Sequence, residues 1–154
     1  MADVEQRLKE LGIQLHTPDP PVANYVHAVR TGNLVFLAGH GPRKPEGGMV
    51  TGKVGREVGL EQAKEAARLV AINLLSSLKA EIGDLNKVKR IVKVLGMVNA
   101  DPSFTSHPQV MNGCSDLLVS LFGDRGKHAR SAVGMGSLPS NISVEIEMVV
   151  EVED

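Results

Sequence analysis

The chain has 154 residues, the length of one domain, and its 42% hydrophobic and 23% charged residues are typical of globular proteins. A net charge of −1 argues against a general attraction to nucleic acid or anionic lipid. An aromatic content of 3% leaves few rings on which the bases of single-stranded RNA could stack.

The N-terminal residues, the lengths of the apolar runs and the cysteine content bear on the cellular location of the protein. The first residues are charged and lack the apolar core of a signal peptide, and no apolar run approaches the roughly 20 residues of a membrane helix. Cys114 is the only cysteine, which excludes an internal disulfide and fits a reducing compartment. We expect a single cytoplasmic domain over 1–154 with no membrane association.

In the first half of the chain, the pattern predicts a short helix, a hairpin and a long helix. Residues 3–11 have the apolar spacing of a helix, and the strand-like runs 24–31 and 34–40 are separated by the two residues typical of a hairpin. Residues 49–54 are a candidate third strand. The segment 59–82 repeats apolar residues at helical spacing and is the clearest helix of the chain.

The second half adds one helix and three strands. Residues 88–100 are rich in β-branched residues, 109–122 have helical periodicity, and 129–136 and 143–153 are predicted as strands. The last strand alternates apolar residues with glutamates. The order predicts an α+β fold, a mixed sheet of five to six strands with two helices packed on one face, plus the short N-terminal helix.

One strand of the predicted hairpin is apolar on both faces. A layer of two helices can cover only one face of the sheet, so we expect another subunit to cover the other. The two sets of side chains are Val35, Leu37 and Gly39 on one face, and Leu34, Phe36 and Ala38 on the other.

The common catalytic signatures are absent from the sequence. It contains no G-x-S-x-G, no phosphate-binding G-x-x-x-x-G-K-[ST] and no G-x-G-x-x-G between a strand and a helix. The histidines show no paired metal-ligand spacing and Cys114 has no companion, so we predict no metal site. The five histidines are His16, His27, His40, His107 and His128.

Arg130 is the first candidate for a functional side chain, because it begins an otherwise small and apolar strand. An arginine that enters a sheet core needs a partner for its charge. One interpretation is a salt bridge, since a turn at 138–141 would bring Glu145 or Glu147 opposite Arg130. The other interpretation is that Arg130 makes bidentate hydrogen bonds to the carboxylate of a substrate. The residues alone favour the salt bridge, because most structural arginines pair with protein carboxylates.

Four other residues have both a structural and a functional interpretation. Glu145 either solvates a strand or orients a water molecule for attack. Tyr25 is either a packing residue or part of a cleft. His40 ends a strand beside two glycines, a position common for ligand-facing side chains and for ordinary turns. Cys114 lies on the apolar face of its helix and is expected in the core.

Three short motifs near the C-terminus resemble a known family. Arg130-Ser131-Ala132-Val133, Leu138-Pro139 and Val144-Glu145-Ile146-Glu147 resemble the C-terminal signature of the reactive intermediate imine/enamine deaminases, the YjgF/YER057c/UK114 family. Asn24-Tyr25-Val26, Gly32-Asn33 and Ala38-Gly39-His40 stand where that family has Pro-Tyr-Ser, a glycine turn and Ser-Gly-Gln. The resemblance extends over roughly residues 20–152.

The resemblance implies a chorismate-mutase-like fold, a homotrimer with sites in intersubunit clefts, and cofactor-independent hydrolysis of 2-aminoacrylate-type enamines and imines to 2-keto acids and ammonia. It implies that Arg130 binds the substrate carboxylate, Tyr25 lines the cleft and Glu145 positions water. Asn112 matches a cleft asparagine, with a span to Arg130 one residue longer than the family pattern. The predicted site therefore has Arg130, Glu145 and Tyr25 as catalytic residues, and Arg130, Tyr25, Gly39, His40 and Asn112 as substrate-binding residues.

The departures from the family pattern place the chain in a distinct branch. They include Ala132 in place of a common cysteine, the segment 111–116 and the His-Ala lead-in to Arg130. We therefore retain two alternatives to the deaminase. One is a non-catalytic module that binds small carboxylate-bearing metabolites, and the other is an endoribonuclease or translation inhibitor, for which the near-neutral charge and few aromatics give no support.

Overall fold

The computed structural model describes residues 3–154, which form three helices and a five-stranded sheet. The helices are α1 (Val4–Glu10), α2 (Leu60–Ile82) and α3 (His107–Phe122). The strands are β1 (Ala28–Thr31), β2 (Leu34–His40), β3 (Val88–Asn99), β4 (Ala129–Met135) and β5 (Val144–Val152). The predicted α+β class and the predicted helices are confirmed to within two residues at each boundary. The first strand, predicted over 24–31, begins four residues later in the structure, at Ala28.

The strands lie in the order β1-β2-β5-β3-β4, and only the β3–β4 pair is parallel. The sheet therefore has five strands, the lower number of the predicted range. The candidate strand at 49–54 is wrong, because this segment makes only isolated bridges, from Met49 to Arg43, from Thr51 to Ile142, and from Val54 to Val58 and Ala100. Gly52 interrupts the extended backbone with a φ of +118°, a conformation that side-chain-bearing residues rarely adopt.

Helices α2 and α3 pack together on one face of the sheet and form the core with it. The predicted alternation of β5 is confirmed, since every second residue is buried at no more than 1% exposure, while Val149 lies with the glutamates on the other face. Burial of each such apolar side chain stabilises the fold by roughly 1.5–3 kcal/mol. Gly113 permits the close crossing of the two helices, because a Cβ there would overlap the backbone carbonyl of Lys64. The buried β5 side chains are Val144, Ile146, Met148, Val150 and Val152.

The opposite face of the sheet carries exposed apolar side chains. Val35 and Leu37 of β2 are buried under the helices, whereas Phe36 between them is 44% exposed. Val29 and Val26 are 53% and 58% exposed and line the same shallow depression as Phe36. Strand β2 is thus apolar on both faces as expected, and the chain itself covers only one of them.

The predicted β4–β5 hairpin is wrong, because β3 lies between the two strands. Arg130 is opposite Val94 of β3, and Val94 is in turn opposite Met148 of β5. The reason is the helix that precedes β4: a strand, a crossover helix and a second strand form a parallel pair, so β4 lies beside β3. Neither Glu145 nor Glu147 is therefore the strand neighbour of Arg130.

Within residues 3–154, no helix is long and apolar enough to cross a membrane.

Candidate ligand-binding site

Arg130 points from the edge strand β4 toward α3. Its Nη1 donates hydrogen bonds to Asn112 Oδ1 at 2.9 Å and to Ser115 Oγ at 3.1 Å. Val94, the β3 neighbour of Arg130, is fully buried under the helices, which fixes the side of the sheet from which the guanidinium projects. Arg130 is partly exposed, so its charge is neither free in solvent nor fully desolvated.

The helix and the turn that follows it bring these groups together. Asn112 and Ser115 are three residues apart on α3 and therefore lie on the same face of the helix. After α3 the chain turns back through Gly126, where a Cβ would overlap the backbone carbonyl of Leu118. This glycine allows the turn to lie directly against the helix, which places His128 beside Ser115.

His128 completes the group around Arg130. Its Nδ1 lies 2.6 Å from the carbonyl oxygen of Gly126, and its Nε2 lies 2.9 Å from Ser115 Oγ. Because a carbonyl can only accept, Nδ1 carries the proton of the neutral ring and Nε2 accepts from the Ser115 hydroxyl. Burial, and secondarily the charge of Arg130, lower the pKa of His128 and favour this neutral form.

One edge of the Arg130 guanidinium makes no hydrogen bond to the described part of the chain. Both observed hydrogen bonds use Nη1, and across residues 3–154 neither Nε nor Nη2 of Arg130 makes a hydrogen bond. The same part of the chain contains no carboxylate within salt-bridge distance of Arg130, although other arginines do form such pairs. The salt bridge that the residues alone favoured is therefore wrong.

Tyr25, Gly39 and His40 meet in a second place, a cavity of about 210 Å³ between the N-terminal loop and the end of β2. His40 Nδ1 lies 2.6 Å from the carbonyl oxygen of Ala38 and its Nε2 lies 2.8 Å from Ser77 Oγ of α2. Burial, followed by the charges of His27 and His16, lowers the pKa of His40. Tyr25 is 50% exposed, so its ring is available to a ligand or to another chain.

Glu145 lies beside Gly39 on the open face of the sheet, and it is not one of the residues that line this cavity. Strand β2 bulges between Leu37 and His40, so that Ala38 and Gly39 together face the single residue Glu147 of β5. The Glu145 carboxylate lies against Gly39, where a Cβ would overlap it. Burial, with a smaller contribution from the neighbouring Glu147 charge, raises the pKa of Glu145. A carboxylate with a raised pKa is a stronger base than an ordinary glutamate.

The structure thus brings the predicted residues together as two groups rather than one. Arg130 and Asn112 form the first group, on the helix side of β4, and Tyr25, Gly39, His40 and Glu145 form the second, around the bulge of β2. Glu145 pairs with Met97, three residues along β3 from the Val94 that pairs with Arg130. Strand geometry puts the Cα atoms of Arg130 and Glu145 roughly 14 Å apart, and their side chains leave opposite faces.

Sequence reasoning missed Ser115 and His128 as members of the first group. Each is a single polar residue without a recognisable motif, and they meet only because the turn at Gly126 lies against α3. The available signal was that both fall in the two segments, 111–116 and the lead-in to Arg130, that depart from the family pattern. Cys114 is buried as expected, and burial raises the pKa of its thiol to about 12, which makes it unreactive at neutral pH.

No metal site is formed within residues 3–154, where no three histidine, cysteine, aspartate or glutamate side chains are grouped to hold an ion.

Comparison with known proteins identifies the family. Residues 5–152 match the family described as YjgF/chorismate mutase-like, putative endoribonuclease. Protein TCP17 of Trypanosoma cruzi is 40% identical over 152 residues, which cover 98% of this chain and 95% of TCP17. A 2-iminobutanoate/2-iminopropanoate deaminase of Dermatophagoides farinae is 30% identical over 134 residues, which cover 86% of this chain and 89% of the deaminase.

A solved structure extends the likeness to three dimensions. The crystal structure of protein Atu1372 from Agrobacterium tumefaciens superposes with a TM-score of 0.89 at 44% sequence identity, covering 98% of this chain and 92% of that one. The resemblance found in the C-terminal motifs is confirmed, together with the chorismate-mutase-like fold that it implied. The chain belongs to the YjgF/chorismate mutase-like family.

Proposed function

We propose that this protein hydrolyses 2-imino acids and their enamine tautomers, of the 2-aminoacrylate type, to 2-keto acids and ammonia without a cofactor. The observation that carries the proposal is the open Nε/Nη2 edge of Arg130. Its Nη1 is fixed by Asn112 and Ser115, and the guanidinium has no protein carboxylate to neutralise it among the described residues. A guanidinium held in this way presents its Nε and Nη2 donors side by side in one plane, and these match the two oxygens of a small carboxylate.

Glu145 is the proposed base for the hydrolytic step. Its carboxylate accepts a proton from water as the water oxygen adds to the imine carbon, which gives a tetrahedral carbinolamine. Glu145 returns this proton to the nitrogen and then passes the hydroxyl proton to it, so that the C–N bond breaks, ammonia leaves and the carbon becomes the keto group. The raised pKa of Glu145 supports this role, because a base works best when its pKa is nearer the operating pH.

The two groups of residues serve one ligand only if different subunits supply them. Arg130 and Glu145 leave opposite faces of the sheet in one chain. We propose a homotrimer in which the open, apolar sheet faces pack together, so that Arg130 of one subunit approaches Tyr25, Gly39 and Glu145 of the next. The exposed Phe36, Val29 and Val26 support this arrangement, because monomers rarely leave such a contiguous apolar surface in water.

The D. farinae relative favours this reaction over the alternatives, since it is named for deamination of 2-iminobutanoate and 2-iminopropanoate. A ribonuclease has less support. The net charge of −1 and the aromatic content of 3% provide neither the positive surface nor the stacking rings of most RNA-binding proteins.

The direct test is to generate 2-aminoacrylate in the presence of the purified protein and to measure the release of pyruvate against spontaneous hydrolysis. The wild-type protein is expected to accelerate this release. Glu145→Gln should lower the enzymatic rate by roughly 10²–10⁴, the usual effect of removing a positioned base. Keto-acid affinity should change by less than about tenfold, or under roughly 1.4 kcal/mol.

Glu147→Gln is the matched control, because Glu147 has the same charge and lies on the same face of β5 but has no counterpart in the family site. It should keep most of the wild-type rate. Equal and small effects at the two positions would mean that both glutamates only solvate the strand. Keto-acid binding without any acceleration by the wild-type protein would favour the non-catalytic binding module.

A further inference from the structure

The hydrogen bonds of Ser115 have an arrangement that the proposed imine hydrolysis does not use. The Ser115 hydroxyl donates to His128 Nε2 at 2.9 Å and accepts from Arg130 Nη1 at 3.1 Å. The opposite ring nitrogen of His128 donates to the carbonyl oxygen of Gly126 at 2.6 Å. A hydroxyl, a base and a third group that orients the base are the three parts of an activated serine.

Each partner has the state that activation requires. The Gly126 carbonyl fixes the tautomer of His128 in which Nε2 is free to take a proton, and burial favours the neutral ring. The guanidinium of Arg130 stabilises negative charge that develops on Ser115 Oγ as the proton leaves. Ser115, His128 and Arg130 are all partly exposed, so the group lies at the surface of the chain rather than in its core.

We propose that Ser115 is a nucleophile activated by His128, and that the group supports acyl transfer from small activated esters to water. This reaction is distinct from the imine hydrolysis proposed above, which assigns no role to Ser115 as a nucleophile. Ser115 on α3, His128 in the turn before β4 and Arg130 on β4 all belong to one chain, so the acylation step requires no residue from another subunit.

The reaction proceeds in two balanced steps. Ser115 Oγ adds to the acyl carbon while its proton passes to His128 Nε2, and the tetrahedral intermediate collapses with loss of the alcohol, which takes the proton from His128. Water then adds to the acyl carbon while its proton passes to His128 Nε2, the bond from the acyl carbon to Ser115 Oγ breaks, Oγ takes the proton back from His128, and the carboxylic acid is released. The open Nε/Nη2 edge of Arg130 is placed to stabilise the oxyanion of each tetrahedral intermediate.

The test uses 4-nitrophenyl acetate and the full-length protein. Wild-type protein is expected to release a burst of nitrophenol and to gain the mass of one acetyl group, which peptide mapping should locate on Ser115. Ser115→Ala should remove both the burst and the acetyl adduct. His128→Gln should slow acylation by roughly 10²–10⁴, the range for loss of a general base.

Ser120→Ala is the matched control, since Ser120 lies on the same helix but is exposed, and its hydroxyl makes no hydrogen bond to a histidine within residues 3–154. Ser120→Ala should retain the burst, and all variants should keep the wild-type far-ultraviolet spectrum. The acylation rate of wild-type protein should also rise with pH and level off below the ordinary histidine pKa, because burial lowers the pKa of His128.

An acetyl group found on lysines, or a burst that survives Ser115→Ala, would overturn the proposal. The pH profile is a second test. An acylation rate that continued to rise with pH across the neutral range, without levelling off, would exclude His128 as the base. None of these results depends on imine hydrolysis, which is measured with a different substrate, so the two proposals succeed or fail separately.

Discussion

Arg130 and Glu145 project from opposite faces of the same sheet, although both belong to the C-terminal motifs that identify the family. Arg130 is level with the buried Val94, and Glu145 is level with Met97 on the face that the helices leave open. The alternation of side chains along a strand makes this arrangement unavoidable, because the two residues pair with β3 positions an odd number apart. If they serve one ligand, association of subunits must bring them together.

The first prediction is that the protein is a homotrimer. Light scattering should give three times the 16.4 kDa chain mass at micromolar concentration. Phe36→Asp should dissociate it, since it places a charge in the centre of the apolar open face. Leu11→Asp is the control, because Leu11 is similarly exposed, at 38% against 44% for Phe36, but follows α1 on the helix side. A wild-type monomer would refute both the assembly and the intersubunit site.

The second prediction concerns the charge and shape of Arg130. Arg130→Ala should weaken pyruvate binding by roughly 10–100-fold, the loss expected for charge-assisted hydrogen bonds to a carboxylate. Arg130→Lys should restore little, because an ammonium cannot make the two-pronged contact. Isothermal titration measures the affinity and thermal unfolding measures the fold. Unchanged binding together with a large fall in melting temperature would give Arg130 a structural role only.

The third prediction tests how Asn112 orients Arg130. Asn112→Asp should form an ion pair with Arg130 and compete with the ligand, lowering pyruvate affinity by about tenfold or more. Asn112→Ala removes one hydrogen bond and should have a smaller effect. Gln109→Glu adds the same charge to an exposed position of α3 and should leave the affinity close to wild type. If the two acidic variants behaved alike, the loss would reflect net charge rather than the Asn112–Arg130 contact.

Gly39 provides the fourth prediction, because it determines where the Glu145 carboxylate lies. Gly39→Ala places a methyl group on that carboxylate, so either β2 or Glu145 must move. Because the close atoms are the end of a flexible side chain and Gly39 is exposed, we expect Glu145 to move aside at a small cost in the free energy of unfolding, under about 1 kcal/mol, while the rate of imine hydrolysis falls because the carboxylate is displaced. Gly136→Ala is the control, since a Cβ there has no neighbour within 4 Å. Equal hydrolysis rates for the two variants would show that the position of the Glu145 carboxylate beside Gly39 does not matter for the reaction.

The sequence predicted most of the fold because its elements carry strong periodic patterns. The apolar spacing of 59–82 and the alternation of 143–153 each report a buried face, which the structure confirms. The prediction of a strand at 49–54 was wrong because a short apolar pattern cannot show that the backbone of Gly52 departs from the extended conformation. The predicted pairing of β4 with β5 was wrong because the spacing of strands in the sequence does not determine which strands are neighbours in the sheet.

The candidate site was predicted less completely, for a different physical reason. Periodicity in the sequence identifies the buried faces of helices and strands. Polar side chains that come together from a helix, a turn and an edge strand have no repeating spacing in the sequence. Arg130 was a candidate from the residues alone, whereas Asn112 was found only through the family resemblance, and their hydrogen bond agrees with a shared role. Ser115 and His128 depend on the close approach of Gly126 to α3, which no local pattern in the sequence encodes.

The fifth prediction follows from the raised pKa of Glu145. A carboxyl group with a higher pKa in the folded chain than in the unfolded one stabilises the fold most when protonated. Its contribution is fully present below the ordinary glutamate pKa of 4.5 and is lost as the pH rises through the folded-state pKa. Glu145→Gln remains neutral throughout, so its stability relative to wild type should increase as the pH rises from about 4 to 7.

Urea unfolding across this pH range measures the difference. Glu153→Gln is the control for loss of one negative charge, because Glu153 is exposed beyond the end of β5. The cause can be tested as well: burial raises the pKa of Glu145 more than the Glu147 charge does, so Glu147→Gln should shift the wild-type pH dependence only slightly toward lower pH. A stability difference between Glu145→Gln and wild type that did not change with pH would mean that water reaches the carboxylate freely. Glu145 would then have an ordinary basicity, and the step in which it takes a proton from the attacking water would lose its physical support.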